Sequence, residues 1–112
     1  DVGLWGTLLA VAAFMVLLSE FASNTAAAAL LVPVFAAVAA SMGLPPAALV
    51  VLVALAASCG FALPVATPPN ALVFGTGQVS ARRMLRAGLA LDVVCVLVLA
   101  SAGWLAIRAG WA

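Results

Sequence analysis

Apolar positions in this chain come in long uncharged runs, separated by short polar or proline-rich breaks. The first run, residues 4–18, ends at Ser19-Glu20-Phe21-Ala22-Ser23-Asn24-Thr25, and a second, 26–40, stops at Ser41-Met42-Gly43-Leu44-Pro45-Pro46. Each run holds 15 residues, about 22 Å of helix against a hydrocarbon core of about 30 Å. These lengths predict a re-entrant helical hairpin over residues 1–40, tip at 22–25, rather than two crossings. Pro46 suits a first helical position, so a helix is predicted over 47–63. Proline lacks a backbone donor and collides with the preceding turn, so Pro64, Pro68 and Pro69 predict a break over 64–70. A shorter half-helix toward Gly77 then completes a broken helix spanning 46–78. Residues 79–88 carry Arg82, Arg83 and Arg86 and read as a cytoplasmic loop or short surface helix. A clean transmembrane helix is predicted over 89–108. The expected fold class is therefore an all-α membrane protein.

Composition strengthens this picture. The chain has 112 residues, 69% hydrophobic and 6% charged, whereas a soluble domain carries roughly 25% charged residues. The 61 residues from Phe21 to Ala81 contain no Asp, Glu, Lys or Arg. The net charge of +1 comes with no basic run and no interleaved aromatics, so nucleic acid is not an expected partner; the lipid bilayer is. With no histidine, the usual zinc and triad constellations are missing, and no enzyme is expected. Cys59 and Cys95, far apart in sequence, read as small packing residues rather than a disulfide or metal pair. The chain begins at Asp1 without a positive leader, so it is expected to be a piece of a longer polytopic protein, with a separate small subunit as the alternative. Three arginines between the last two predicted elements, against Arg108 alone beyond them, place that loop inside. The hairpin then enters from the outer face, and both Asp1 and Ala112 finish outside.

The breaks carry the candidate chemistry. Irregular backbone at membrane depth is tolerated only where it is buried in protein or lines a cavity. A half-helix starting there directs free N–H groups and a positive dipole end at whatever occupies that cavity. Asn24 or Thr25 can cap the helix that starts near Ala26, and Thr67 the helix that starts at Pro68. Two such ends make an anion site for carboxylate, phosphate or sulfate. The helices ending near residues 19–22 and 64–66 present carbonyls, which with an asparagine oxygen suit a hard cation such as sodium. Glu20 reads as a structural carboxylate bracing the hairpin tip, with a ligand role as the alternative. Asp92 is expected to pair with Arg86 or its neighbours. Trp5, Trp104 and Trp111 fit interfacial anchors.

Two motifs carry a family resemblance. Ser19-Glu20-Phe21-Ala22-Ser23-Asn24-Thr25 resembles the second Ser-Asn-Thr element of divalent anion/sodium symporters, the dicarboxylate, citrate and sulfate carriers. Residues 58–73, with Pro64-Val65-Ala66-Thr67-Pro68-Pro69-Asn70, resemble that family's S-x-x-F-x-x-P-V-A-T-P-P-N pattern. The resemblance implies that residues 1–112 are the C-terminal half of the transport domain of an inverted-repeat, homodimeric elevator transporter in a bacterial inner membrane. It implies substrate contacts from Ser23, Asn24, Thr25, Thr67 and Pro68. It also implies a sodium ion held by backbone oxygens of Ser19, Ala22 and Ala66 with the Asn24 side chain. A second Ser-Asn-Thr hairpin and broken helix, in the N-terminal half of such a protein, would complete the site. The rival readings are a sodium-independent anion exchanger or arsenite-type permease, and a non-transporting membrane module whose breaks serve helix packing.

Overall fold

The computed structural model describes residues 2–64 and 66–110, so Asp1, Val65, Trp111 and Ala112, with the expectations placed on them, lie outside the described residues. Five helices follow one another: α1 (Val2–Ser19), α2 (Asn24–Ser41), α3 (Pro46–Ala56), α4 (Pro68–Gly75) and α5 (Ala81–Arg108). No strand occurs among the described residues. By length and composition α2 and α5 can each cross a membrane.

Helices α1 and α3 form the centre, with α5 packed mainly on α1 and α2 mainly on α3. One core cluster joins Leu8, Ala12, Ala39, Leu49, Leu52 and Ala100; a second joins Met15, Val16, Ala27, Val53, Ala56 and Ala57. The many alanines in these clusters let helices approach closely, which is how helices associate where lipid removes the hydrophobic drive. Trp5 Nε1 lies 3.5 Å from Ser101 Oγ, and Glu20 and Asp92 line one cavity, so α1 and α5 run antiparallel. Trp104 packs against this same end of α1, with the Arg108 guanidinium 5.2 Å above its ring.

Several expected boundaries move. The hairpin helices are 18 residues each, about 27 Å, and their connection is 20–23 rather than 22–25. Asn24 and Thr25 already belong to the first turn of α2. The cap is Ser23, whose Oγ accepts from Ala26 N at 3.3 Å. Pro33 lies inside α2, and that helix closes on a Schellman turn in which Gly43 takes φ 73° and Leu44 N donates to Ala39 O at 2.9 Å. The broken helix parts earlier than expected: α3 ends at Ala56, so the break covers 57–67 instead of 64–70. Proline alone sets only the far limit. The Pro64 ring excludes a helical Gly60 carbonyl four residues back, and side chains of other elements capture the peptides before it. The arginine segment is not a separate loop or surface helix. Ser80 caps it, accepting from Arg83 N at 3.2 Å, and 79–88 and 89–108 merge into the single 28-residue α5. At about 42 Å this helix exceeds the hydrocarbon thickness, so its exposed arginines need no kink to reach a polar layer.

Candidate functional site

The two breaks meet. Phe21, Ala22, Ser23, Asn24 and Thr25 from the hairpin tip, and Ala66, Thr67, Pro68 and Ala71 from the second break, line one open cleft of about 650 Å³. All five residues expected to touch substrate (Ser23, Asn24, Thr25, Thr67, Pro68) are on its wall. Of the four expected at sodium, Ala22, Asn24 and Ala66 line the same cleft. Ser19 does not. It is fully buried behind the tip, its Oγ donating to Val16 O at 2.8 Å, with its carbonyl packed on Gly60.

The two helix starts contribute unequally. In α2 the helical ladder begins where Ala27 N donates to Ser23 O at 2.8 Å, so the Asn24 and Thr25 N–H groups precede any intrahelical acceptor. In α4 the first two residues, Pro68 and Pro69, have no N–H, and Asn70 N donates to the Thr67 hydroxyl at 3.4 Å. The expectation of two donor-rich ends therefore narrows to one. Helix α2 supplies N–H donors, while α4 supplies its dipole and the Thr67 side chain.

Asn24 also carries an unusual acceptor. Its Oδ1 is buried and has no hydrogen-bond partner among the described residues. An acceptor removed from water without a donor is costly, and a cation is one way to satisfy it. A second cleft of about 570 Å³, lined by Asn24, Thr25, Ala28, Ala29, Val32, Pro33, Ala54 and Ser58, flanks the same residue.

Behind the cleft the second break is gripped through its backbone. Asn70 Nδ2 donates to the carbonyls of Phe61 and Leu63, both at 2.9 Å. Glu20 accepts from Ala62 N at 3.1 and 3.2 Å and from Leu63 N at 3.4 Å. Asp92 Oδ1 accepts from Phe61 N at 3.1 Å. Of the hydrogen-bonding groups of 61–63, these side chains take all but the Ala62 carbonyl. Gly88 of α5 makes this possible, since any Cβ there would overlap Ala62 Cα and the Phe61 carbonyl.

Two expectations change here. Glu20, expected to brace the hairpin tip, instead holds the second break, accepting from Ala62 N and Leu63 N. Asp92 joins no arginine among the described residues; it is 6% exposed and faces the break beside Glu20. Its spacing was the missed signal, because six residues rotate Asp92 about 240° around the helix from Arg86. Asn70, read only as part of the break, and Gly88, which carried no reading, complete the residues that sequence reasoning missed. The thiols of Cys59 and Cys95 are free and come side by side, and the described residues hold no cluster of metal-binding side chains.

An uncharacterized transporter of Haemophilus influenzae is 54% identical over 97 residues, covering 87% of this chain and 21% of that protein. A sodium-dependent dicarboxylate transporter of Staphylococcus saprophyticus is 38% identical over 91 residues, covering 81% of this chain and 18% of its own length. Its counterpart in Staphylococcus aureus is 36% identical over 81 residues, 72% of this chain and 16% of that protein. The chain thus spans about a fifth of the length of the curated relatives it matches, and those relatives are transporters, not enzymes. The family description "sodium:sulfate symporter transmembrane region" matches residues 3–111, and the chain belongs to that family.

Proposed function

We propose that this chain is the C-terminal half of the transport domain of a sodium-coupled carrier of divalent anions in a bacterial plasma membrane. The names of the staphylococcal relatives favour a dicarboxylate such as succinate over citrate or sulfate. The single observation that carries the reading is Asn24, whose unpartnered, buried Oδ1 sits on a cleft built from both breaks. Sodium, a hard cation that accepts oxygen ligands, supplies the charge that this acceptor lacks. Asn24 Oδ1 with the carbonyls of Ala22 and Ala66 would hold the ion, and the Ser19 carbonyl would close the set from behind.

The anion would be met by the N–H groups of Asn24 and Thr25, the hydroxyls of Ser23, Thr25 and Thr67, and the positive ends of α2 and α4. Asn24 belongs to both halves, so occupancy by the cation would order the turn that receives the anion, and the reverse follows by reciprocity. The end of α1, with Ser19 and Glu20 at 0% and 4% exposure, is buried against the second break, which supports a re-entrant hairpin over two independent crossings. In this reading an N-terminal half supplies the second hairpin and broken helix. The whole works as a homodimer in which the transport domain slides against a scaffold. Uptake of labelled succinate by the full-length protein in proteoliposomes tests the proposal. Uptake should require an inward sodium gradient; equal uptake without sodium contradicts it and favours an exchanger.

A further inference from the structure

Three elements hold the short stretch 61–63: the end of α1 through Glu20, α4 through Asn70, and α5 through Asp92. The first two already belong to the segments that form the cleft. Asp92 does not line the cleft, yet its carboxyl is 6% exposed in a cavity otherwise lined by apolar side chains and Glu20. A carboxyl group in such surroundings is costly, and a second one beside it adds to the cost. Helix packing alone does not account for an acid at this position.

We infer that Asp92 is a positioning residue for the cation half of the site, acting through the Phe61 peptide. Its Oδ1 fixes Phe61 N at 3.1 Å, and the neighbouring Gly60 is the residue on which the Ser19 carbonyl rests. Glu20, directly after Ser19, takes the next two peptides of the same stretch. The Phe61 peptide therefore sets two things together: where the Ser19 carbonyl stops and where the chain sets out toward Ala66. Without the bond to Asp92, Glu20 still holds the Ala62 and Leu63 N–H groups and Asn70 still holds the Phe61 and Leu63 carbonyls, but the peptide joining Gly60 to Phe61 loses its tether to α5. The Ser19 and Ala66 carbonyls then lose their common register. Groups that orient metal ligands from behind in this way typically govern affinity rather than maximal rate.

This inference rests on the sodium-coupled reading above. The test measures half-saturating sodium and maximal succinate uptake for the full-length wild type, D92A, D92L and D92N in proteoliposomes. Asparagine keeps an oxygen that can accept from Phe61 N. Leucine keeps the bulk and suits the apolar cavity, so the measurement stands even if alanine leaves a hole that collapses the fold. D92A and D92L should raise half-saturating sodium about tenfold, with maximal uptake at saturating sodium little changed, and D92N should return it near the wild-type value. Unshifted sodium dependence in D92L, or a D92N protein as impaired as D92L, overturns the inference. A wild type whose uptake ignores sodium overturns the sodium reading itself, whereas a sodium-dependent wild type with an unshifted D92L overturns only the role of Asp92.

Discussion

Asn24→Ala in the full-length protein is expected to abolish succinate uptake and its sodium dependence together. Alanine removes the buried Oδ1 that has no partner among the described residues while leaving the helix start intact, because the cap is Ser23 rather than Asn24. The fold should therefore survive. A ligand oxygen lost outright should weaken sodium affinity by about a hundredfold or more, since even groups one step behind a metal ligand are worth 10- to 100-fold. Alanine keeps the backbone N–H proposed to meet the anion, so succinate affinity should fall through the lost coupling: without the cation, the turn that would receive the anion is no longer ordered. The check is uptake over a sodium titration beside a melting curve of the purified protein. Uptake retained at ordinary sodium would show that the Asn24 oxygen does not belong to the site.

Gly88→Ala should be the most destabilising glycine-to-alanine change among the glycines whose surroundings are described. The added carbon would overlap Ala62 Cα and the Phe61 carbonyl, which are backbone atoms and not the yielding tip of a side chain. Relief requires α5 to move away from the break, and that movement pulls Asp92 off Phe61 N. Overpacking of this severity costs about 3 kcal/mol, a large share of the 5–15 kcal/mol that typically separates folded from unfolded protein. A sharply lowered melting temperature and loss of monodisperse protein in detergent are expected. Gly6→Ala is the control, because a methyl there would meet nothing within 4 Å among the described residues beyond its own helical turn. Equal melting of the two variants would show that α5 does not press on the break.

The positions of the breaks were legible because their causes are local. Ser23-Asn24-Thr25 between two apolar runs, and Thr67-Pro68-Pro69 inside another, interrupt helices through side-chain capping and missing donors, and neither depends on the rest of the fold. The cap falls on Ser23 instead of Asn24 or Thr25, because all three side chains can accept from a first-turn N–H and only the backbone path decides among them. The early end of α3 was not legible. Pro64 limits a helix only over its last turn; the peptides of Phe61, Ala62 and Leu63 are drawn away by Glu20, Asp92 and Asn70, which lie up to 43 positions away. The continuity of α5 was hidden by its arginines, whose polarity argues for a surface position but not against a helix. Asp92 was assigned to the nearest cations in sequence, although helical rotation turns it away from Arg86.

The central claim is that the hairpin tip and the second break are two walls of one site. Thiol labelling of the full-length protein in membranes tests it most directly, with F21C and A71C placed singly in a background of C59A and C95A. Phe21 and Ala71 lie on opposite walls of the cleft and belong to neither proposed ligand set. Sodium with succinate should slow labelling at both positions in parallel, over the same range of concentrations. Protection at one position while the other reacts at an unchanged rate would contradict the account.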